Sequence, residues 1–141
     1  MHLQYEVEGG NFSKAGYASS EIKKVLKQLN VDARTIKRIV VSSYEAEVNI
    51  VAHAYKGTID ARIDQDKIEL CYQDLGPGIP DIEQAMQAGF STASPEVREM
   101  GFGAGMGLPN IKNNADKLEI TSEVGTGTKV IITIALTPEE N

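Results

Sequence analysis

Residues 74–108 read DLGPGIPDIEQAMQAGFSTASPEVREMGFGAGMGL, and the rest of the chain is organised around them. A carboxylate, Asp74, opens the stretch and a glycine turn follows at once, Gly76-Pro77-Gly78-Ile79-Pro80. A second run closes it, with Gly101, Gly103, Gly105 and Gly107 ahead of Leu108-Pro109. Glycine admits positive φ and lets a ligand come close to backbone N–H groups. Such groups just ahead of a helix form a concave anion site, because the helix N-terminus adds unpaired donors and partial positive charge. The alternative is two ordinary turns around a mobile loop. Either glycine run alone suits that alternative, but the two together, with the helix described next, predict a nucleotide site with phosphates at the second run.

Upstream, Asp32 is placed to cap a long helix ending near Ala54. At ~100° per residue, Glu45, Asn49 and His53 fall within an arc of ~80°. Ile36, Ile39, Val40, Ser43, Ile50 and Ala54 lie roughly opposite and anchor the helix. Glu47 lies ~200° from Glu45, so these two carboxylates are not an acid/base pair. A polar stripe on a helix is ordinarily solvated. This one is flanked by Val41, Val48 and Ala52, so it is expected to be covered, and a covered polar stripe needs partners that a ligand can supply.

The remaining elements follow from periodicity. Leu3, Tyr5 and Val7 alternate with polar residues in a first strand over 2–8. Ser13 is a candidate cap for a helix running to about Leu29, with Ile22, Val25, Leu26 and Leu29 at helical spacing. Strands are expected at 58–64 and 67–74, joined at Gln65-Asp66, with Ile68, Leu70 and Tyr72 facing inward. A short helix begins at Asp81 and runs to about Ala88. Residues 89–107 suit a lid, being poor in apolar anchors and rich in Gly, Ser and Thr. Leu108-Pro109 starts another helix, and strands at 117–124 and 129–136 meet through Gly125-Thr126-Gly127. Two long helices and a shorter one can cover one face of such a sheet. The expected fold is an α/β two-layer sandwich, with a mixed, mostly antiparallel sheet whose other face is exposed or an interface.

Composition narrows the function. The 141 residues fit one domain, 1–141, with a sizeable core. A net charge of −6 without a long basic cluster argues against nucleic acid as a partner. The N-terminal MHLQYEVEGG lacks the apolar and basic regions of a signal peptide, and no apolar run suits a membrane span, so a cytoplasmic location without a membrane partner is expected. The one cysteine, Cys71, sits in a strand pattern and is expected to be a small buried thiol.

Together these motifs resemble the GHKL ATP-binding superfamily, whose Bergerat fold is an α/β sandwich with a lid over ATP. Its helical glutamate four residues before an asparagine matches Glu45 and Asn49. Its D-x-G-x-G matches Asp74, Gly76 and Gly78, its glycine-rich lid hinge matches 101–108, and its late threonine after a glycine matches Thr128. Within the superfamily, GPGIPDIEQAMQAGFST and GAGMGLP resemble the small bacterial serine kinases that regulate sigma factors. The stress-response switch kinase is the nearer likeness and the sporulation anti-sigma kinases the next, although the lid segment 93–100 is closer to the sporulation type. The resemblance implies Asp74 on the adenine amine with Thr128 nearby, Asn49 on Mg²⁺, and Glu45 as general base. It also implies glycine amides of 101–107 on the triphosphate, with His53, Ile79, Ser91, Thr92 and Leu108 completing the nucleotide-contacting set. His53 reads more readily as packing or support.

No phosphoacceptor or dimerisation helix domain is visible in the sequence, so a complete two-component histidine kinase is not expected. The resemblance therefore implies a Mg-ATP-dependent serine/threonine kinase acting on a small STAS-type antagonist. The competing reading is an ATP-gated binding module that sequesters a sigma factor. A homodimer through the open sheet face or an edge is a further expectation.

Overall fold

The computed structural model describes residues 1–87 and 107–136. Alternation fixes the sheet. In β2 (Lys56–Ile63) and β3 (Lys67–Leu75), Ile59, Ala61, Ile63, Ile68, Leu70 and Tyr72 are buried and the residues between them are not. With β1 (His2–Glu8), β4 (Lys117–Glu123) and β5 (Gly127–Ala135) they form one five-stranded sheet in the order β1-β2-β3-β5-β4.

The expected mixed sheet is corrected in one respect: every strand pairing among the described residues is antiparallel. Connectivity explains this. β2 and β3 form a hairpin whose turn is held by Asp64 Oδ1, which accepts the N–H groups of Asp66 and Lys67 at 2.8 Å each. Between β1 and β2 the chain passes through two helices, α1 (Tyr17–Gln28) and α2 (Ala33–His53), which return it to the end of the sheet that β1 has just reached. β2 must then run back against β1, and Val7 comes to lie opposite Gly57.

The helices cover one face. Ile22 and Leu26 of α1, Ile39, Ile50 and Val51 of α2, and Leu108 and Ile111 of α4 (Gly107–Asn114) share a single core with the inward strand residues. Each such side chain contributes about 1.5–3 kcal/mol on burial. The short helix α3 (Ile82–Ala85) is capped by Asp81, whose Oδ1 accepts the Gln84 N–H at 3.0 Å. Among the described residues no helix is long and apolar enough to cross a membrane. The opposite sheet face is polar, with Lys56, Arg62, Lys67, Glu119 and Lys129 exposed on it. Cys71 lies on that face, half-buried rather than in the core, because its parity is opposite to that of Leu70 and Tyr72; burial pushes its thiol up.

Helix starts show where local sequence suffices. Asp32 caps α2 as expected, its Oδ2 accepting the N–H groups of Arg34 and Thr35 at 3.1 and 3.2 Å. Ser13 does not cap α1. Its hydroxyl lies 2.9 Å from Asn11 Oδ1, residues 12–14 form a single 3₁₀ turn, and α1 begins only at Tyr17. The donors at its start go instead to Glu47 on α2, which accepts the N–H groups of Gly16, Ala18 and Ser19 at 2.9, 3.3 and 3.0 Å.

Candidate functional site

Two clusters of predicted site residues form at one end of α2. In the first, Glu45 and Asn49 lie one turn apart, half-buried, beneath the first turn of α4. Gly107 is so close that a Cβ there would stand 3.2 Å from Asn49 Oδ1 and 3.4 Å from Glu45 Oε2. Any larger residue would push on both polar groups, which accounts for glycine at this position. Asn110, three residues on, donates its side-chain N–H to Glu45 Oε1 at 3.2 Å. Leu108 points the other way, into the core. His53 is the last residue of α2, half-buried, and burial pushes its imidazole down.

The second cluster is built where β3 ends beside the start of β5. Asp74, the penultimate residue of β3, lies opposite Gly57, and its Oδ1 accepts the Thr128 N–H at 3.0 Å. Burial pushes the Asp74 carboxyl above its ordinary range, and the Thr128 N–H partly offsets this. A partly desolvated acceptor with one bond to the backbone is suited to receive a further donor from a ligand. Behind Asp74 the chain turns sharply. Gly78 has φ +78°, and a Cβ there would lie 2.5 Å from the Glu123 carbonyl oxygen, so only glycine lets the turn press against the β4–β5 hairpin. Gly76 donates its N–H to the Thr126 carbonyl at 3.1 Å, and Ile79 donates to Ser122 Oγ at 2.7 Å.

The two clusters meet through the C-terminus of α2: a Cβ on Gly76 would stand 3.0 Å from Ala54 Cα. The structure thus brings Glu45 and Asn49 under Gly107, and Asp74, Gly76, Gly78, Ile79 and Thr128 around one turn. Ser91, Thr92, Gly101, Gly103, Gly105 and most of the expected lid lie outside the described residues.

Two residues absent from the sequence reading matter here, Asn110 and Ser122, and so does Glu47, which that reading only separated from Glu45. Asn110 is an amide in the first turn of the helix that follows the glycine run. Ser122 and Glu47 both break an apolar pattern: Ser122 continues the inward series Leu118 and Ile120 on β4, and Glu47 sits on the apolar side of α2 with Ser43 and Ile50. A polar residue at an apolar position is the signal that marks them.

Among the described residues, no group of three or more His, Cys, Asp and Glu could hold a metal ion. A single amide oxygen at Asn49 still suits Mg²⁺, which keeps several waters and takes phosphate oxygens as ligands.

Comparison with known proteins adds to this geometry. A family profile described as "Histidine kinase-like ATPase domain" matches residues 14–134. The chain is 31% identical to the anti-sigma F factor of Geobacillus stearothermophilus, over 94% of this chain and 89% of that protein. It is 33% identical to the serine/threonine-protein kinase RsbT of Bacillus subtilis, over 77% of this chain and 78% of that one. Among solved structures, the RsbU and RsbW domains of Rv1364c from Mycobacterium tuberculosis match 98% of this chain with a TM-score of 0.65 at 15% identity. The chain spans 33% of that longer protein, and the likeness concerns the fold.

Proposed function

The chain belongs to the histidine kinase-like ATPase family, and on this footing we propose that it is a Mg-ATP-dependent serine/threonine protein kinase acting on a partner protein, a small STAS-type antagonist. One observation carries the reading. Asp74 is a half-buried acceptor fastened to the start of β5, and a second set, Glu45 and Asn49, lies beneath a glycine at the start of α4. In this reading residues 1–141 act as one ATP-binding domain, and the protein works in the cytoplasm.

The roles follow from the chemistry of each group. Asp74 accepts the exocyclic amine of adenine, which selects against a base presenting a carbonyl there. The glycine amides up to Gly107 hold phosphate oxygens, helped by the N-terminus of α4. Asn49 would hold Mg²⁺, which would neutralise charge on the phosphates. Glu45 takes the proton of the partner's serine hydroxyl. The serine oxygen forms a bond to the γ-phosphorus, the bond from that phosphorus to the bridging oxygen breaks, and ADP leaves. Asn110 orients the Glu45 carboxylate through its N–H.

The relatives named anti-sigma F factor favour a second reading, in which ATP closes the site and the domain sequesters a sigma factor with little turnover. Of the two homodimer surfaces expected from sequence, the open face is the weaker because it is lined with charge, which leaves an edge strand. The test is to incubate the protein with Mg²⁺, γ-labelled ATP and purified STAS-domain and sigma-factor candidates. Label on a serine or threonine of a STAS domain is the expected result. ATP-dependent capture without label would favour the second reading, and neither label nor capture would overturn both.

A further inference from the structure

We infer that Asn110 is a positioning residue for phosphoryl transfer, holding one oxygen of the Glu45 carboxylate so that the other, Oε2, takes the proton of the attacking hydroxyl. The inference deepens the reading of Glu45 as general base and rests on it. Asn110 stands in the first turn of α4, and its Nδ2 donates to Glu45 Oε1 at 3.2 Å. The other oxygen faces Gly107. The point where a Cβ on Gly107 would stand is 3.4 Å from Glu45 Oε2 and 3.2 Å from Asn49 Oδ1. Oε2 and the Asn49 oxygen thus flank one small space, which the glycine keeps free of a side chain, while Oε1 is turned to Asn110.

The last torsion of a glutamate is broad, so an unheld carboxylate presents either oxygen over a wide range of directions. A donor on one oxygen narrows that range, and a base misplaced by about 1 Å can lose about 10²-fold in rate. Asn110 is itself on a fixed support. Its carbonyl oxygen accepts the Asn114 side-chain N–H at 2.8 Å, and the Asn114 carbonyl oxygen accepts Arg38 Nε at 3.0 Å. The Arg38 guanidinium also donates to Asp116 Oδ1 at 2.8 Å. Leu108 and Ile111 of the same helix are buried in the core. These contacts fasten α4 against α2 without Asn110, so the bond to Glu45 is free to serve direction. In the step itself, the partner's serine hydroxyl gives its proton to Glu45 Oε2 while its oxygen bonds to the γ-phosphorus. The bond from that phosphorus to the bridging oxygen breaks, and ADP leaves with the electron pair.

The test measures ATP affinity by calorimetry and the rate of label transfer from γ-labelled Mg-ATP to purified STAS-domain proteins. It compares wild type with Asn110→Ala, Asn110→Asp and Asn110→Gln. Asn110→Ala removes the donor and should slow transfer by about tenfold, the worth of one net hydrogen bond. ATP affinity should stay within a fewfold of wild type. The other two variants set shape against chemistry. Asn110→Asp keeps the size but puts a like charge against Glu45, whereas Asn110→Gln is longer but keeps the N–H donor. Positioning predicts the fastest transfer of the three in Asn110→Gln and the slowest in Asn110→Asp. A packing role predicts the reverse, with Asn110→Asp the best of the three, and that order would overturn the inference. In a Glu45→Ala background, Asn110→Ala should have no further effect on transfer, because Asn110 acts through Glu45. The same tenfold loss in that background would overturn the inference too. Should Asn110→Ala fail to fold, Asn110→Asp and Asn110→Gln carry the comparison between them. Normal transfer by wild type and by every Asn110 variant brings down this inference alone. Wild-type protein that labels no STAS-domain protein brings down the kinase reading, and this inference with it.

Discussion

Two glutamates two residues apart on α2 have opposite surroundings. Glu47 is 2% exposed, and its two oxygens accept three backbone N–H groups from the start of α1 and the Ser19 hydroxyl at 2.7 Å. The network continues from Ser19 through Ser43 to Tyr72, whose hydroxyl lies 2.6 Å from Ser43 Oγ. Helix, helix and sheet are thereby tied at one place. Glu45 is half-buried beneath α4 and has the Asn110 side chain as a donor. The same residue type on the same helix serves as scaffold where its oxygens are saturated. Where, among the described residues, one side-chain donor reaches them, the proposed function makes it the base. Among the described residues, the number of donors reaching each carboxylate, more than burial alone, separates the two faces.

The largest effect should follow loss of the accessible carboxylate. Glu45→Ala should lower phosphoryl transfer to the partner by about 10²–10⁴-fold, the usual worth of a positioned base. ATP affinity should stay within a fewfold of wild type and the melting temperature nearly unchanged. If transfer survives, Glu45 is not the base and the contrast between the two faces loses its functional half.

Glu47→Ala should act in the opposite way. It leaves three backbone donors and the Ser19 hydroxyl without this acceptor, which should cost about 1–3 kcal/mol of stability, the penalty of unsatisfied buried polar groups. Chemical denaturation would show it as a lower midpoint. Per folded molecule, nucleotide affinity should change little. An unchanged midpoint would break the comparison from the scaffold side.

A smaller effect sharpens it at Asp74. Burial raises this carboxyl above its ordinary range in the folded chain, so ionising it costs stability that is fully present below the ordinary value of 3.8 and lost as pH rises through the raised one. Asp74→Asn keeps an oxygen for the Thr128 N–H and removes that loss. Without nucleotide the variant should therefore melt slightly higher than wild type at neutral pH, with the gap closing as pH falls below 3.8. A variant that melts lower at neutral pH would show that Asp74 is mainly structural.

Much of the fold was legible because its signals are local. Alternation in 67–74 placed Ile68, Leu70 and Tyr72 inward, and Asp32 ahead of Arg34 and Thr35 marked the start of α2. Helical spacing alone put Glu45 and Asn49 on one face, now seen beneath Gly107. The start of α1 was not legible, since its cap is Glu47, about thirty residues along the chain, and no window around Ser13 contains it. Ser122 and Asn110 escaped for the same reason: their partners Ile79, Thr128 and Glu45 are brought near by sheet register and helix packing, which no short stretch encodes. The lid expected over 89–107 falls almost wholly outside the described residues.

Titration of the wild-type protein with ATP and with GTP tests most directly whether Asp74 and its surroundings form an adenine site. In the presence of Mg²⁺ the protein should bind ATP at least about tenfold more tightly than GTP, because GTP presents a carbonyl where Asp74 needs a donor and leaves both acceptors unmatched. Asp74→Asn should lose most of that preference by weakening ATP alone. Equal affinity of the wild type for the two nucleotides would contradict the account.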